Sequence, residues 1–129
     1  MKKATCSCGQ LEVTVSAEPV RVSVCHCHEC QKRTGSAFGA QARFAEGDVS
    51  VSGKTTQWTR TAESGNRITF QFCPVCGSTV LYTLEAQPGV VAVALGAFAG
   101  QTLPAPAYTV YEARQHPWVE VKGEIERYD

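Results

Sequence analysis

The chain lacks an excess of either charge, a long apolar run, a sustained helical period and any cysteine outside three short clusters. Its 129 residues carry 12 Lys and Arg against 12 Asp and Glu. Net charge therefore lends no support to counterion-driven nucleic-acid binding. Basic residues such as Lys2, Lys3, Arg33, Lys54 and Arg114 are dispersed rather than clustered. No stretch approaches the roughly 18 apolar residues of a spanning helix, and the longest, Val90 to Phe98, is interrupted by Gly96. This argues against a membrane partner. The basic start has Cys6 to Gln10 where a signal peptide needs an apolar stretch, so the reading is cytoplasmic.

No window of roughly eleven residues keeps a 3.6-residue apolar period, which excludes long helices. What recurs instead is alternation at period two. Leu11 to Val15, Val20 to Val24, Ile68 to Phe72 and Trp118 to Lys122 read as half-buried strands, and Val49 to Val51, Thr79 to Leu84, Val90 to Leu95 and Tyr108 to Tyr111 as further β-rich stretches. The expectation is an all-β single domain over 1–129, with one helical turn or so across His28 to Thr34 and an extended connection over Gly100 to Pro106. Trp118 and Tyr128 read as core or edge packing.

All seven cysteines fall in Cys6-Ser7-Cys8-Gly9, Cys25-His26-Cys27-His28-Glu29-Cys30 and Cys73-Pro74-Val75-Cys76-Gly77. An odd count at such spacings disfavours disulfides and matches metal-ligand grouping. Residues two apart on a strand face one side, so Cys6 with Cys8, and Cys25 with Cys27, are pre-arranged pairs. In the third cluster Pro74 presets a turn and Gly77 permits a positive φ, the pattern of a zinc knuckle.

Three partitions follow from these spacings. The first joins Cys6 and Cys8 to Cys73 and Cys76 in a closed four-thiolate site and leaves Cys25, Cys27 and Cys30 as an open three-thiolate site. The second pairs Cys25 and Cys27 with the knuckle, and the third uses one metal and leaves free thiols. The first alone uses every local spacing, and its split matches closed structural zinc against zinc with an open position. His26 and His28 alternate with the cysteines and point away from them in a strand, and His116 is remote in sequence. A three-thiolate zinc is electron-rich and a poor Lewis acid, so it suits a fourth sulfur from a small thiol better than it suits hydrolysis.

These residues, together with Cys-His-Cys-x-x-Cys-Gln-Lys at Cys25 to Lys32, Thr34-Gly35-Ser36, Ser64-Gly65-Asn66 and Phe72-Cys73-Pro74-Val75-Cys76-Gly77-Ser78, resemble the glutathione-dependent formaldehyde-activating enzyme family, which shares its domain with centromere protein V. The resemblance spans nearly the whole chain. It implies an Mss4-like fold of packed antiparallel β-sheets with zinc knuckles and two zinc ions per chain. One ion would be structural, on Cys6, Cys8, Cys73 and Cys76. The second, on Cys25, Cys27 and Cys30, would be the reaction centre.

The activity implied is a carbon-sulfur lyase reaction on S-hydroxymethylglutathione or a related thiol adduct, with glutathione as co-substrate. The chain is short beside longer members of the family. Lys32, Arg33, Arg43, Lys54 and Arg67 are the candidates for holding glutathione carboxylates, and His28, Ser36 or Tyr82 for polarising a hydroxyl. The alternative is a non-catalytic zinc-binding module for a protein or nucleic-acid partner. Nothing in the composition speaks to oligomeric state.

Overall fold

A computed structural model describes residues 1–129. Alternation sorts most of the chain into two sheets. The smaller is antiparallel, in the order β1 (Lys2–Thr5), β2 (Glu12–Val15) and β5 (Val49–Ser52). The larger has eight strands in the order β11-β10-β3-β4-β9-β8-β7-β6. These are β3 (Arg21–Cys25), β4 (Gly39–Ala45), β6 (Thr56–Thr61), β7 (Arg67–Phe72), β8 (Thr79–Leu84), β9 (Val90–Ala94), β10 (Tyr108–Val110) and β11 (Glu126–Arg127). The single α-helix, α1, runs from His28 to Thr34.

One face of the large sheet packs on the small one. Ala4, Leu11, Val13 and Val15 meet Val22, Ala42, Phe44, Val80, Val91, Val93 and Phe98 in one buried cluster. Phe44 and Phe98 lie with ring centroids 6.0 Å apart at its centre. Each buried Val, Leu or Phe there contributes about 1.5–3 kcal/mol relative to exposure. The period-two rule then sends Arg21, Ser23 and Cys25 of β3, and Gly39, Gln41 and Arg43 of β4, to the opposite face. That face holds the smaller cluster of Phe70, Tyr82 and Ala92, flanked by Ile68 and Leu84.

The all-β expectation holds, and α1 and β8 have the boundaries read from the sequence. Two expectations are corrected. Trp118 to Lys122 forms no strand: the Val119 amide donates to the His116 carbonyl at 3.0 Å in a turn, and Trp118 is 75% exposed. Its alternating pattern has no neighbouring strand to pair with. Trp118 is therefore not core packing, and the Tyr128 side chain is also exposed, only its amide joining the sheet edge by donating to Thr109 O at 2.9 Å.

The sheets are also not wholly antiparallel. β10 runs parallel to β3, and β11 parallel to β10. These pairings join segments far apart in sequence, so alternation carries no sign of them. The Gly100 to Pro106 stretch lies outside every strand and helix, as its prolines require.

Candidate functional site

Cys6, Cys8, Cys73 and Cys76 converge, with every pair of sulfurs within 4.8 Å. Two loops of similar construction present them. In one, the Gly9 amide donates to Cys6 O at 3.1 Å and the Cys6 amide to Leu11 O at 3.0 Å. In the other, Gly77 donates to Cys73 O at 2.8 Å and Cys73 to Ser78 O at 3.0 Å. Gly77 has φ 80, the conformation that the knuckle requires. A register shift between Gln71 and Phe72 turns β7 into this loop.

Cys6 and Cys8 sulfurs are 3.7 Å apart, as are those of Cys8 and Cys73. A tetrahedron with metal-sulfur bonds of about 2.3 Å has edges of about 3.8 Å, so the four thiols fit one zinc-sized ion. Hydrogen bonds surround the sulfurs: Leu11 N donates to Cys6 at 3.3 Å, Val75 N to Cys73 at 3.3 Å, and the Gln10 side chain to Cys73 at 3.1 Å. Cys76 is pulled down to about 5, first by the Ser78 hydroxyl 3.5 Å away. Cys73 and Cys76 are thereby shifted toward the thiolate, whereas Cys8 is pushed up to about 11.

The second group is Cys25, Cys27 and Cys30, also with sulfurs within 4.8 Å. Cys25 ends β3, and Cys27 caps α1 by accepting the Cys30 amide on its sulfur at 3.3 Å. Strand end and first helical turn thus aim three sulfurs at one point. Hydrogen bonds with Cys25 and Cys30 pull Cys27 down to about 2, while hydrogen bonds with Cys27 and Cys30, and then burial, push Cys25 up. The three thiols titrate as one group, and a metal bound there would displace their protons. Arg33 Nη2 lies 4.0 Å from Cys30 Sγ. Gly39 makes room for this pair: a Cβ there would sit 3.0 Å from Arg33 Nη2 and 3.3 Å from Cys30 Cβ.

No histidine joins either group. His26 is fully buried, its Nε2 2.9 Å from Thr109 Oγ1, and burial lowers its pKa. His116 Nε2 contacts Gln31 Oε1 at 2.9 Å. Gln31 in turn donates to His26 O at 2.9 Å, tying α1 to the segment after β10. The two histidines hold the scaffold rather than a metal.

The three-cysteine group opens into a cavity of about 250 Å³ on the outer face of the large sheet. None of Cys6, Cys8, Cys73 and Cys76 lines it. Its apolar wall is Ile68, Phe70, Tyr82 and Leu84, and its charged lining is six arginines, at 21, 33, 43, 60, 67 and 114, against Glu29 and Glu63. Arg33 lies over the Phe70 and Tyr82 rings at 5.4 and 5.3 Å, and Arg60 lies 5.8 Å from Phe70. Burial pushes the Tyr82 hydroxyl up to about 12.

Arg33, Arg43 and Arg67 line the cavity, whereas Lys32 and Lys54 do not. Tyr82 lines it too, but His28 and Ser36 are exposed outside it. Ser64 and Asn66 of the Ser-Gly-Asn motif form part of the rim. Sequence reasoning missed Arg21, Arg60, Arg114, Gln41 and Phe70. A signal existed for Arg21, which stands two and four residues before Ser23 and Cys25 on one strand face.

No curated protein matches the chain. A crystal structure of a Rhodobacter sphaeroides protein, solved as a structural-genomics target, superposes with a TM-score of 0.62 at 22% identity, over 78% of this chain and 90% of that one. That likeness shows a shared fold. Over residues 1–114 the sequence matches the family model described as glutathione-dependent formaldehyde-activating enzyme. That span takes in both cysteine groups and all six cavity arginines, and the chain belongs to the glutathione-dependent formaldehyde-activating enzyme family.

Proposed function

We propose that the chain is a zinc-dependent carbon-sulfur lyase that cleaves a thiol-aldehyde adduct of the S-hydroxymethylglutathione type. One observation carries this reading: three cysteine sulfurs converge at an arginine-lined cavity, while the four-cysteine group lies outside it. The first is placed to meet a ligand. The second ties β1 and β2 to the β7–β8 hairpin and has a structural role.

Zinc held by Cys25, Cys27 and Cys30 would supply a soft acceptor that keeps a fourth sulfur as thiolate and so makes it a better leaving group. The bond changes balance without any oxidant. The adduct hydroxyl gives its proton to water, its oxygen forms the carbonyl, the carbon-sulfur bond breaks with its electron pair on sulfur, and the sulfur takes up a proton from water on release. Formaldehyde and the thiol leave.

The chain's own groups orient this cleavage. Tyr82, with its pKa near 12, keeps its proton at neutral pH and serves as a hydrogen-bond donor rather than a base. Arg33 and Arg60, stacked on Phe70, place positive charge beside the sulfurs and favour a sulfur anion. The apolar wall of Ile68, Phe70 and Leu84 limits water around them.

The test has two readouts. Zinc-edge absorption with saturating glutathione should count one more sulfur at one of two zinc ions per chain. Cleavage of the adduct should exceed its spontaneous rate and fall to that rate in Cys27→Ala. An unchanged sulfur count sinks the thiol-binding reading, and no rate gain sinks the lyase.

A further inference from the structure

We infer that Arg21 and Arg43 form a carboxylate seat at the end of the cavity away from the three cysteines, so that the ligand carries a sulfur, then an N–H or O–H donor, then a carboxylate. This rests on the thiol reading above for its sulfur end. β3 and β4 pair antiparallel with Arg21 opposite Arg43, Ser23 opposite Gln41 and Cys25 opposite Gly39. All six stand on one face, and the ladder runs from two cations, through a polar middle, to the sulfurs. Four residues of strand separate Arg21 from Cys25, about 13 Å between Cα atoms.

Two arginines placed directly across a ladder repel, and partial burial strengthens the repulsion. No carboxylate of the chain pairs with either to relieve it. Neither makes an ion pair: the chain's five salt bridges use Lys3, Lys32, Arg67, Arg114 and Arg127. Arg21 lies 4.3 Å over the Tyr108 ring, and Arg43 Nη1 donates to Gln87 Oε1 at 2.7 Å. Both Nε atoms are shut away from solvent without an acceptor. Paired, half-buried guanidiniums without a carboxylate are the reverse of what stability selects. A planar anion held by both forks removes the penalty.

The middle of the ladder points the same way. Gln41 is only 3% exposed, its Nε2 donates to Ser23 Oγ at 2.8 Å, and its Oε1 meets no donor. An unmet buried acceptor is as costly as an unmet donor. A ligand N–H or O–H between the sulfur and the carboxylate satisfies it. Arg67 and Arg114 are not equivalent seats, because Glu85 and Glu63 already hold them. A small neutral thiol leaves the whole far end of the cavity unsatisfied.

Calorimetric titration of the zinc-loaded chain tests this with four probes: glutathione and its diester, and the same peptide with alanine in place of cysteine as acid and as diester. The expected result is acid binding at least tenfold tighter than diester. Arg21→Gln and Arg43→Gln should each erase most of that preference, while Lys54→Gln, outside the cavity, keeps it. Acid and diester binding alike to the wild type overturns the seat, and needs no variant to fold. A preference that survives both arginine changes also overturns it.

The sulfur count separates this from the thiol reading. If glutathione adds no sulfur at zinc but the alanine peptide still binds tighter as acid than as ester, the seat stands and the thiol reading falls. If sulfur joins zinc and the ester binds as well as the acid, the thiol reading stands and the seat falls. No binding by any probe removes both.

Discussion

The Gln10 side-chain amide donates to Cys73 Sγ across 3.1 Å, linking the N-terminal loop to a sulfur 63 residues away. The same amide donates to Lys54 O at 2.7 Å, and its carbonyl accepts the Lys54 amide at 3.0 Å. One side chain therefore clamps a sulfur and the turn after β5. Gln10→Ala removes three hydrogen bonds, one of them to a thiolate, and should lower stability by about 2 kcal/mol with both metals retained. Urea unfolding with metal analysis checks it. A change under about 0.5 kcal/mol means the clamp is idle.

The two cysteine groups should respond differently to loss of one ligand. Cys76→Ala breaks a group that joins the N-terminal loop to the β7–β8 hairpin, where a bound metal would contribute folding energy. That variant should lose one ion and its cooperative thermal transition. Cys27→Ala breaks a group formed within one strand end and one helical turn, so it should lose one ion and keep the transition. Equal collapse would mean that both groups are structural.

Gly39→Ala inserts a methyl 3.0 Å from Arg33 Nη2 and 3.6 Å from Cys30 Sγ. The flexible arginine gives way more easily than the strand, so the fold survives and Arg33 leaves the sulfur. Affinity at the three-cysteine group should fall about tenfold or more, as for lost supporting contacts at other metal sites. The four-cysteine group should be unaffected. Competition with a colorimetric chelator resolves the two, and equal weakening at both would refute the local account.

Tyr82 links pH to stability. Burial raises its pKa from 10 to about 12 in the folded chain. Between these values the folded state keeps a proton that the unfolded state has released. The contribution is whole below pH 10 and is lost as pH rises through 12, about 3 kcal/mol in all. Urea unfolding at pH 9 and 11 should show the wild type losing more stability than Tyr82→Phe. Parallel losses would place the phenol in water.

The local elements were the most readable part of this chain. α1 was legible as the one short helical candidate and β8 as a β-rich run of Thr, Val, Leu and Tyr, because both are set within a few residues. β4 was missed, since Gly39, Ala40 and Ala42 have low strand propensity and their place comes from pairing with β3 and β9. β6 was missed because it is an exposed edge strand with little apolar alternation. Trp118 misled in the other direction, carrying a strand pattern into a segment without a partner.

By itself the sequence determined the chemistry of the sulfurs: three clusters, local spacings that converge on a point, and too few ligands for two closed sites. Those are short-range facts, set by backbone geometry over two to five residues. Only tertiary structure decided which clusters meet, through the Cys8 and Cys73 sulfurs 3.7 Å apart across 65 residues. It also decided what surrounds the open group. The register of β3 on β4 sets Arg21 against Arg43 and Ser23 against Gln41, and the turn of β7 and β8 adds Phe70 and Tyr82. A cavity is the product of several strands at once, and a register of one residue more or less would have turned every one of those side chains into the core.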